Sequence, residues 1–193
     1  TVPETMATPT EQGTTTYDTV TVGYTELTTA AETGGLTINK YIVEYKKSAD
    51  ASYTQIDPAT NPSPQVISGL VPNTAYLFRV IANNDIGDST PSPTLTVTTA
   101  TYVPEVPTNV QTTESLDGTT VDITWTAPSS DNGEAISDYK VLIFDGSSFT
   151  DYTTLCSQNT ATRVSGLTCT VTMADLATIG LSYDDEVVAK VAA

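Results

Sequence analysis

A period-two pattern of apolar residues occurs twice in this chain, about a hundred residues apart, and no other feature restricts its folding as tightly. Val20-Thr21-Val22-Gly23-Tyr24 is matched by Val121-Asp122-Ile123-Thr124-Trp125, and Val2-Pro3-Glu4 recurs at the same offset as Val103-Pro104-Glu105. A few residues out of that phase, Ile38-Asn39-Lys40-Tyr41-Ile42-Val43 matches Ile136-Ser137-Asp138-Tyr139-Lys140-Val141. Alternation of this kind belongs to a strand with one buried face. It places Val20, Val22, Tyr24, Tyr41, Val43 and Tyr45 in one core, and Val121, Ile123, Trp125, Tyr139, Val141 and Ile143 in a second. The repeat predicts two all-β units, residues 1–100 and 101–193, each the size of a sandwich domain. Helical periodicity is scarce, and the stretch from Met173 to Thr178 is its best candidate.

Composition agrees with this reading and removes several functions. Threonine makes up about a fifth of the chain, and its branched Cβ suits a pleated surface. Acidic residues outnumber basic ones by 23 to 7, for a net charge of −16. A chain so acidic repels phosphate backbones and anionic lipid, which argues against nucleic-acid and membrane-surface partners. No apolar run approaches the roughly 18 residues of a membrane span, so no membrane insertion is expected. No charged-then-apolar leader opens the sequence, and any signal peptide is expected to have been removed already.

Further motifs resemble fibronectin type III repeats. An aromatic ends the second strand of each repeat (Tyr24, Trp125), and a tyrosine opens the third (Tyr41, Tyr139). The stretch Gly69-Leu70-Val71-Pro72-Asn73-Thr74-Ala75-Tyr76-Leu77-Phe78-Arg79-Val80 looks like that family's E–F corner. There the resemblance implies a Tyr76 hydroxyl tied back to upstream backbone. Residues Asn83 to Ser92 look like the F–G loop, and Leu95 to Thr99 like strand G. Thr1 to Gln12 reads as strand A. The resemblance implies two tandem fibronectin type III-like sandwiches in an extracellular or cell-surface, secreted setting.

The second repeat departs from the first. Its E–F corner is rewritten between Leu176 and Glu186, and Val187 stands where the corner tyrosine belongs. Val187, Ala189, Val191 and Ala193 align with Tyr76, Phe78, Val80 and Ala82, so the second sandwich is expected to lack its own strand G. An unpaired strand F is a template for another strand, which is either the chain's own strand G lying just past Ala193 in a longer repeat array or one donated by a neighbouring subunit. Val187, Val188, Ala189 and Val191 are therefore the candidates for an open self-association edge, and Val2, Thr5 and Met6 for a donated strand. The expected role is a structural repeat subunit of an extracellular fibre, surface coat or appendage, whose partners are copies of itself or neighbouring repeats. The alternatives are an adhesin or receptor ectodomain and an accessory module of a larger secreted protein.

Chemistry offers little else. There is no histidine, so no Cys/His catalytic pair exists, and no enzyme is expected. Cys156 and Cys169 are read as one disulfide across neighbouring strands, the alternative being two free thiols in a reducing cytoplasm. Asp131-Asn132-Gly133 and Asp145-Gly146 read as turn chemistry. Asp184-Asp185-Glu186, with Asp131 or Asp138, offers oxygen ligands for calcium, but no dedicated calcium spacing is present and no cofactor is expected. In Ile86-Gly87-Asp88-Ser89 an isoleucine stands where an integrin-binding Arg-Gly-Asp would need arginine, and Gly87 reads as a turn residue. Asn61-Pro62-Ser63 is blocked as an N-glycan acceptor by its proline, whereas the threonine-rich stretches Thr5 to Thr16 and Thr90 to Thr101 are candidate O-glycan carriers.

Overall fold

The computed structural model describes residues 1–56 and 63–193, so Asn61 and Pro62 of the blocked glycan triplet lie outside the described residues. The chain divides into two compact units, Thr1–Tyr102 and Val103–Ala193. Strands of the first are β1 (Thr10–Glu11), β2 (Val20–Gly23), β3 (Lys40–Lys47), β4 (Thr54–Gln55), β5 (Gln65–Ile67), β6 (Ala75–Asn84), β7 (Gly87–Asp88) and β8 (Leu95–Thr98). One sheet runs β1-β2-β5; the other runs β4-β3-β6, with β7 and β8 both paired to β6. All pairings are antiparallel.

The alternation read from the sequence sets the inner faces. Val20 and Val22 of β2 pack with Ile67, Leu70, Tyr76, Phe78 and Val97, while Tyr24, Tyr41, Val43, Val80, Ala82 and Met6 close the other end. Tyr45 is only partly buried. The Val71 N–H donates to the Tyr76 hydroxyl at 3.0 Å, which is the corner tether the resemblance implied. Gly87 has a positive φ of 148°, as its turn role requires.

Strand A is shorter than expected. Only Thr10–Glu11 pairs, and in the preceding residues Pro3, Met6 and Pro9 are the buried positions. That period of three is the period of a polyproline-type segment, and prolines at two of the three positions remove the donors a ladder would need. The segment is tied down all the same. The Thr1 ammonium donates to the Gly34 carbonyl at 3.0 Å, and the buried Asn84 amide donates to the carbonyls of Thr1 and Thr33. Of the candidate donor residues, Val2 and Thr5 are exposed, whereas Met6 is 2% exposed within its own core. Donation to a neighbour would first have to withdraw Met6.

The second unit holds β9 (Thr108–Glu114), β10 (Thr120–Thr126), β11 (Lys140–Phe144), β12 (Phe149–Asp151), β13 (Thr168–Thr172) and β14 (Ala189–Ala192). Its sheets run β13-β10-β9 and β12-β11-β14. Val121, Ile123 and Trp125 face Tyr139, Val141 and Ile143 across one core, with Trp125 tilted against Tyr139 at 5.2 Å. Two short helices complete it. The unforeseen one, α1 (Thr160–Gly166), is capped by Asn159, whose side chain accepts from the Thr162 N–H. The foreseen one, α2 (Met173–Thr178), is capped by Thr172, which accepts from the Asp175 N–H. Leu176 of α2 is fully buried in the core. It fills the E–F corner from which the tyrosine is missing, while Tyr183 stays 70% exposed and takes no part in such a tether.

Candidate strand-accepting edge

The register of the two units lets their edges be compared residue by residue. In the first, Val43 pairs with Val80 and Tyr45 with Phe78; in the second, Val141 pairs with Val191 and Ile143 with Ala189. Ala189 therefore stands where Phe78 does, Val191 where Val80 does, and Val187 where Tyr76 does. The Phe144 N–H donates to the Val188 carbonyl at 2.9 Å, so Val188 and Lys190 direct their backbone groups at β11. By the alternation of an antiparallel ladder, Val187, Ala189 and Val191 direct theirs outward.

In the first unit those outward groups are all engaged. Tyr76 and Phe78 pair with Val97 and Leu95 of β8. Val80 exchanges bonds with Ser92, donating to its hydroxyl at 3.0 Å and accepting from its N–H at 2.9 Å. Ala82 does the same with Ser89, at 3.0 and 2.8 Å. Among the described residues, β14 pairs with β11 alone.

A cleft of about 190 Å³ opens beside this edge, between β9 and the approach to β14. Its apolar lining is Val121, Met173 and Val187. Val121 and Val187 correspond to Val20 and Tyr76, which share a core cluster with Val97 of β8 in the first unit. The cleft thus lies where a strand G would place its inward side chain. Glu114, Asp185 and Glu186 contribute its polar lining, beside the exposed ring of Tyr183.

The four predicted edge residues divide between two faces. Val187, Ala189 and Val191 lie on the inner side, with Val191 only 5% exposed. Val188 is 40% exposed and shares the outer face with Lys190, whose ammonium sits 4.0 Å over the Phe149 ring, and with Phe144. The outer face was not anticipated; the alternation Leu142, Phe144, Val188, Lys190 was the signal that could have revealed it.

The disulfide joins Cys156 to Cys169, with Cα atoms 5.0 Å apart. Cys169 is on β13, but Cys156 follows a 3₁₀ turn at Thr153–Leu155, so the bond ties a connecting segment to a strand and does not cross between neighbouring strands. Ser157 N–H donates to the Thr170 carbonyl at 2.8 Å, and the Gln158 side chain brackets Thr170 with two bonds of 2.7 Å. The same segment carries Arg163, 7% exposed, which donates to both oxygens of Asp138 and to the Gln158 carbonyl. The guanidinium holds the Asp138 carboxyl below its ordinary range.

That shift predicts acid sensitivity. A depressed folded-state pKa contributes stability above the unfolded value, near 3.9, and loses it as pH falls through the lower folded one. Asp138→Asn should remove this part of the acid response and cost about 1–2 kcal/mol at neutral pH. The figure is below that of a sealed ion pair because the Asp138 side chain is 40% exposed. Calorimetric melts of the second unit at pH 7 and pH 3 check both.

The remaining carboxylates hold local structure. Asp145 accepts from the N–H groups of Ser148 and Ser147 and from the Ser147 hydroxyl, which hold its carboxyl far below the usual range. Asp131 accepts from the Gly133 N–H and Asp185 from the Ser182 N–H. Among the described residues no three His, Cys, Asp or Glu side chains converge on a point that would hold a metal ion.

Antiparallel sandwiches of this topology belong to the immunoglobulin-like class. Residues 11–98 match the model of the fibronectin type III domain, and the first unit is a domain of that family. The chain is similar to tyrosine-protein phosphatase Lar of Drosophila melanogaster, 38% identical over 103 residues, covering 52% of this chain and 5% of Lar. It is similar to cell adhesion molecule Dscam1 of the same organism, 34% identical over 112 residues, covering 55% of this chain and 6% of Dscam1. It also resembles endoglucanase B of Cellulomonas fimi, 40% identical over 110 residues, covering 53% of this chain and 10% of that protein. The chain spans only a small part of these relatives, and the region matched by the family model is a non-catalytic module.

Proposed function

We propose that this chain is a non-catalytic pair of sandwich modules from an extracellular or surface-displayed protein, which spaces other parts of that protein. The disulfide carries the reading: Cys169 is fully buried and the bond is part of the second core, which suits an oxidising compartment. Relatives as different as an adhesion molecule and an endoglucanase fit a module reused for spacing and attachment, with other chemistry placed elsewhere. The experiment is thiol trapping of the protein taken directly from its source. Both cysteines should resist alkylation until a reductant is added; recovery of alkylated Cys156 and Cys169 without reduction would sink the extracellular reading.

A second reading, a fibre or coat subunit assembled by strand complementation or end-to-end contacts, draws support from the tandem repetition of one sandwich along the chain. Electron microscopy at rising concentration tests it. Filaments that vanish on Ala189→Pro would establish the fibre, and monodisperse particles throughout would remove it.

A further inference from the structure

We propose that Tyr17 and Tyr102 form a site of oxidative cross-linking, at which a haem peroxidase and hydrogen peroxide join the two rings by a carbon–carbon bond within one chain. Only the supply of oxidant depends on the extracellular reading; the chemistry belongs to the chain itself.

The chain has ten tyrosines, and among the described residues three pairs of them bring their rings together. Tyr24 and Tyr41 are tilted with centroids 5.1 Å apart, and Tyr45 and Tyr76 are tilted at 6.2 Å. Tyr17 and Tyr102 are stacked, with centroids 3.8 Å apart and an interplanar angle of 22°. Exposure separates the pairs further. Tyr24, Tyr41 and Tyr76 are buried, out of an oxidising enzyme's reach, whereas Tyr17 is half-buried and Tyr102 is 45% exposed.

Backbone on both sides holds the stack in place. The Ala100 N–H donates to the Thr16 carbonyl at 3.0 Å, and the Ala100 carbonyl accepts from the Asn73 N–H at 3.0 Å. The Asp18 carbonyl accepts from the Leu70 N–H at 3.0 Å, and the Thr16 hydroxyl donates to the Asp18 carboxylate. Tyr17 thus lies between two anchored residues, and Tyr102 two positions past a third. The Asp18 carboxylate, and after it the neighbouring Tyr102 hydroxyl, hold the Tyr17 hydroxyl above its ordinary range. The two hydroxyls therefore share one end of the stack, and the ring carbons beside them, the Cε atoms, face one another.

That placement suits radical coupling. Each hydroxyl gives up one electron and one proton, and the paired radicals join through one Cε of each ring. The hydrogens on those two carbons then pass to the oxygens and restore both phenols. In sum one carbon–carbon bond forms, two Cε–H bonds break, and peroxide takes two electrons and two protons to become two waters. Rings already in contact need no diffusional encounter, which is the advantage of an intramolecular reaction. Tyr102 is the last residue of the first unit, so the bond would fix that end of the unit to its body.

Treating the purified whole chain at low concentration with a haem peroxidase and hydrogen peroxide tests this, read by dityrosine fluorescence and mass spectrometry. The product should be a monomer lighter by the two hydrogens lost, with one linked peptide pair carrying Tyr17 and Tyr102. Tyr17→Phe and Tyr102→Phe each keep a ring in the stack and should lower the yield roughly tenfold or more. Tyr183→Phe, which removes a hydroxyl from a ring 70% exposed, should leave the yield unchanged. Fluorescence that survives Tyr17→Phe, or that appears only in dimers and grows with protein concentration, would overturn the site. So would an absence of dityrosine under conditions in which the same peroxidase couples free tyrosine.

Discussion

Leu176→Ala is expected to lower the stability of the second unit by about 2–5 kcal/mol, the range for removing a fully buried leucine side chain. For a unit of this size that corresponds to a fall of roughly 10–30 °C in its melting temperature. The reason lies in what the second repeat lost. At the E–F corner the first unit has Tyr76, buried and bonded to the Val71 N–H, whereas the second has Val187 and no tether. At the next inward position Phe78 is replaced by Ala189. Volume withdrawn from strand F is returned by α2, whose Leu176 is fully buried with Ile179 and Leu181 packed against the same core. Truncating Leu176 leaves a cavity that its neighbours cannot close, because Met173 at the other end of the helix already borders the open cleft. Calorimetry should show the transition of the first unit unmoved and that of the second displaced. A displacement of only a few degrees would mean that α2 is a surface appendage and that the core closes without it.

How much of this was legible in the sequence follows from which forces shape each part. The inner faces of β2, β3, β10 and β11 were readable because a half-buried strand writes its environment as alternation, and Val20, Val22, Val141 and Ile143 each show 0% exposure. The alignment of Val191 with Val80 held for the same reason, since slipping it by one residue would turn Val191 out of the core. The first nine residues were misread because Pro3, Met6 and Pro9 repeat every three positions, a spacing that does not announce a strand or a helix. Helix α1 was missed because Thr160–Gly166 has no apolar face; its one buried residue is Arg163, held by an ion pair that depends on where β11 begins. The acidic cleft was hidden too. Glu114 and Glu186 are far apart in sequence and are brought together only when β9 and the approach to β14 come side by side.

The second large effect concerns the connection between β12 and β13. Replacing Cys156 and Cys169 together by alanine should cost the second unit about 3 kcal/mol, because the bond joins residues 13 apart in sequence and closes a loop that the unfolded chain would otherwise explore. Mild reduction of the unaltered chain should act in the same direction. The loss should be local before it is global. Between β12 and β13 the chain has only the 3₁₀ turn and α1, and neither contributes a fully buried aliphatic side chain. Amide exchange should therefore quicken first over residues 153 to 167, while β10 and β11 keep their protection. Competing with this is the bracket of Gln158 on Thr170 and the Arg163–Asp138 pair, which anchor the segment without sulfur. If the double variant melts within a few degrees of the parent, those polar contacts hold the connection and the disulfide is redundant to the fold. If it loses the expected stability, and Asp138→Asn in that background loses far more than it does alone, the covalent and ionic anchors share one segment and neither suffices without the other.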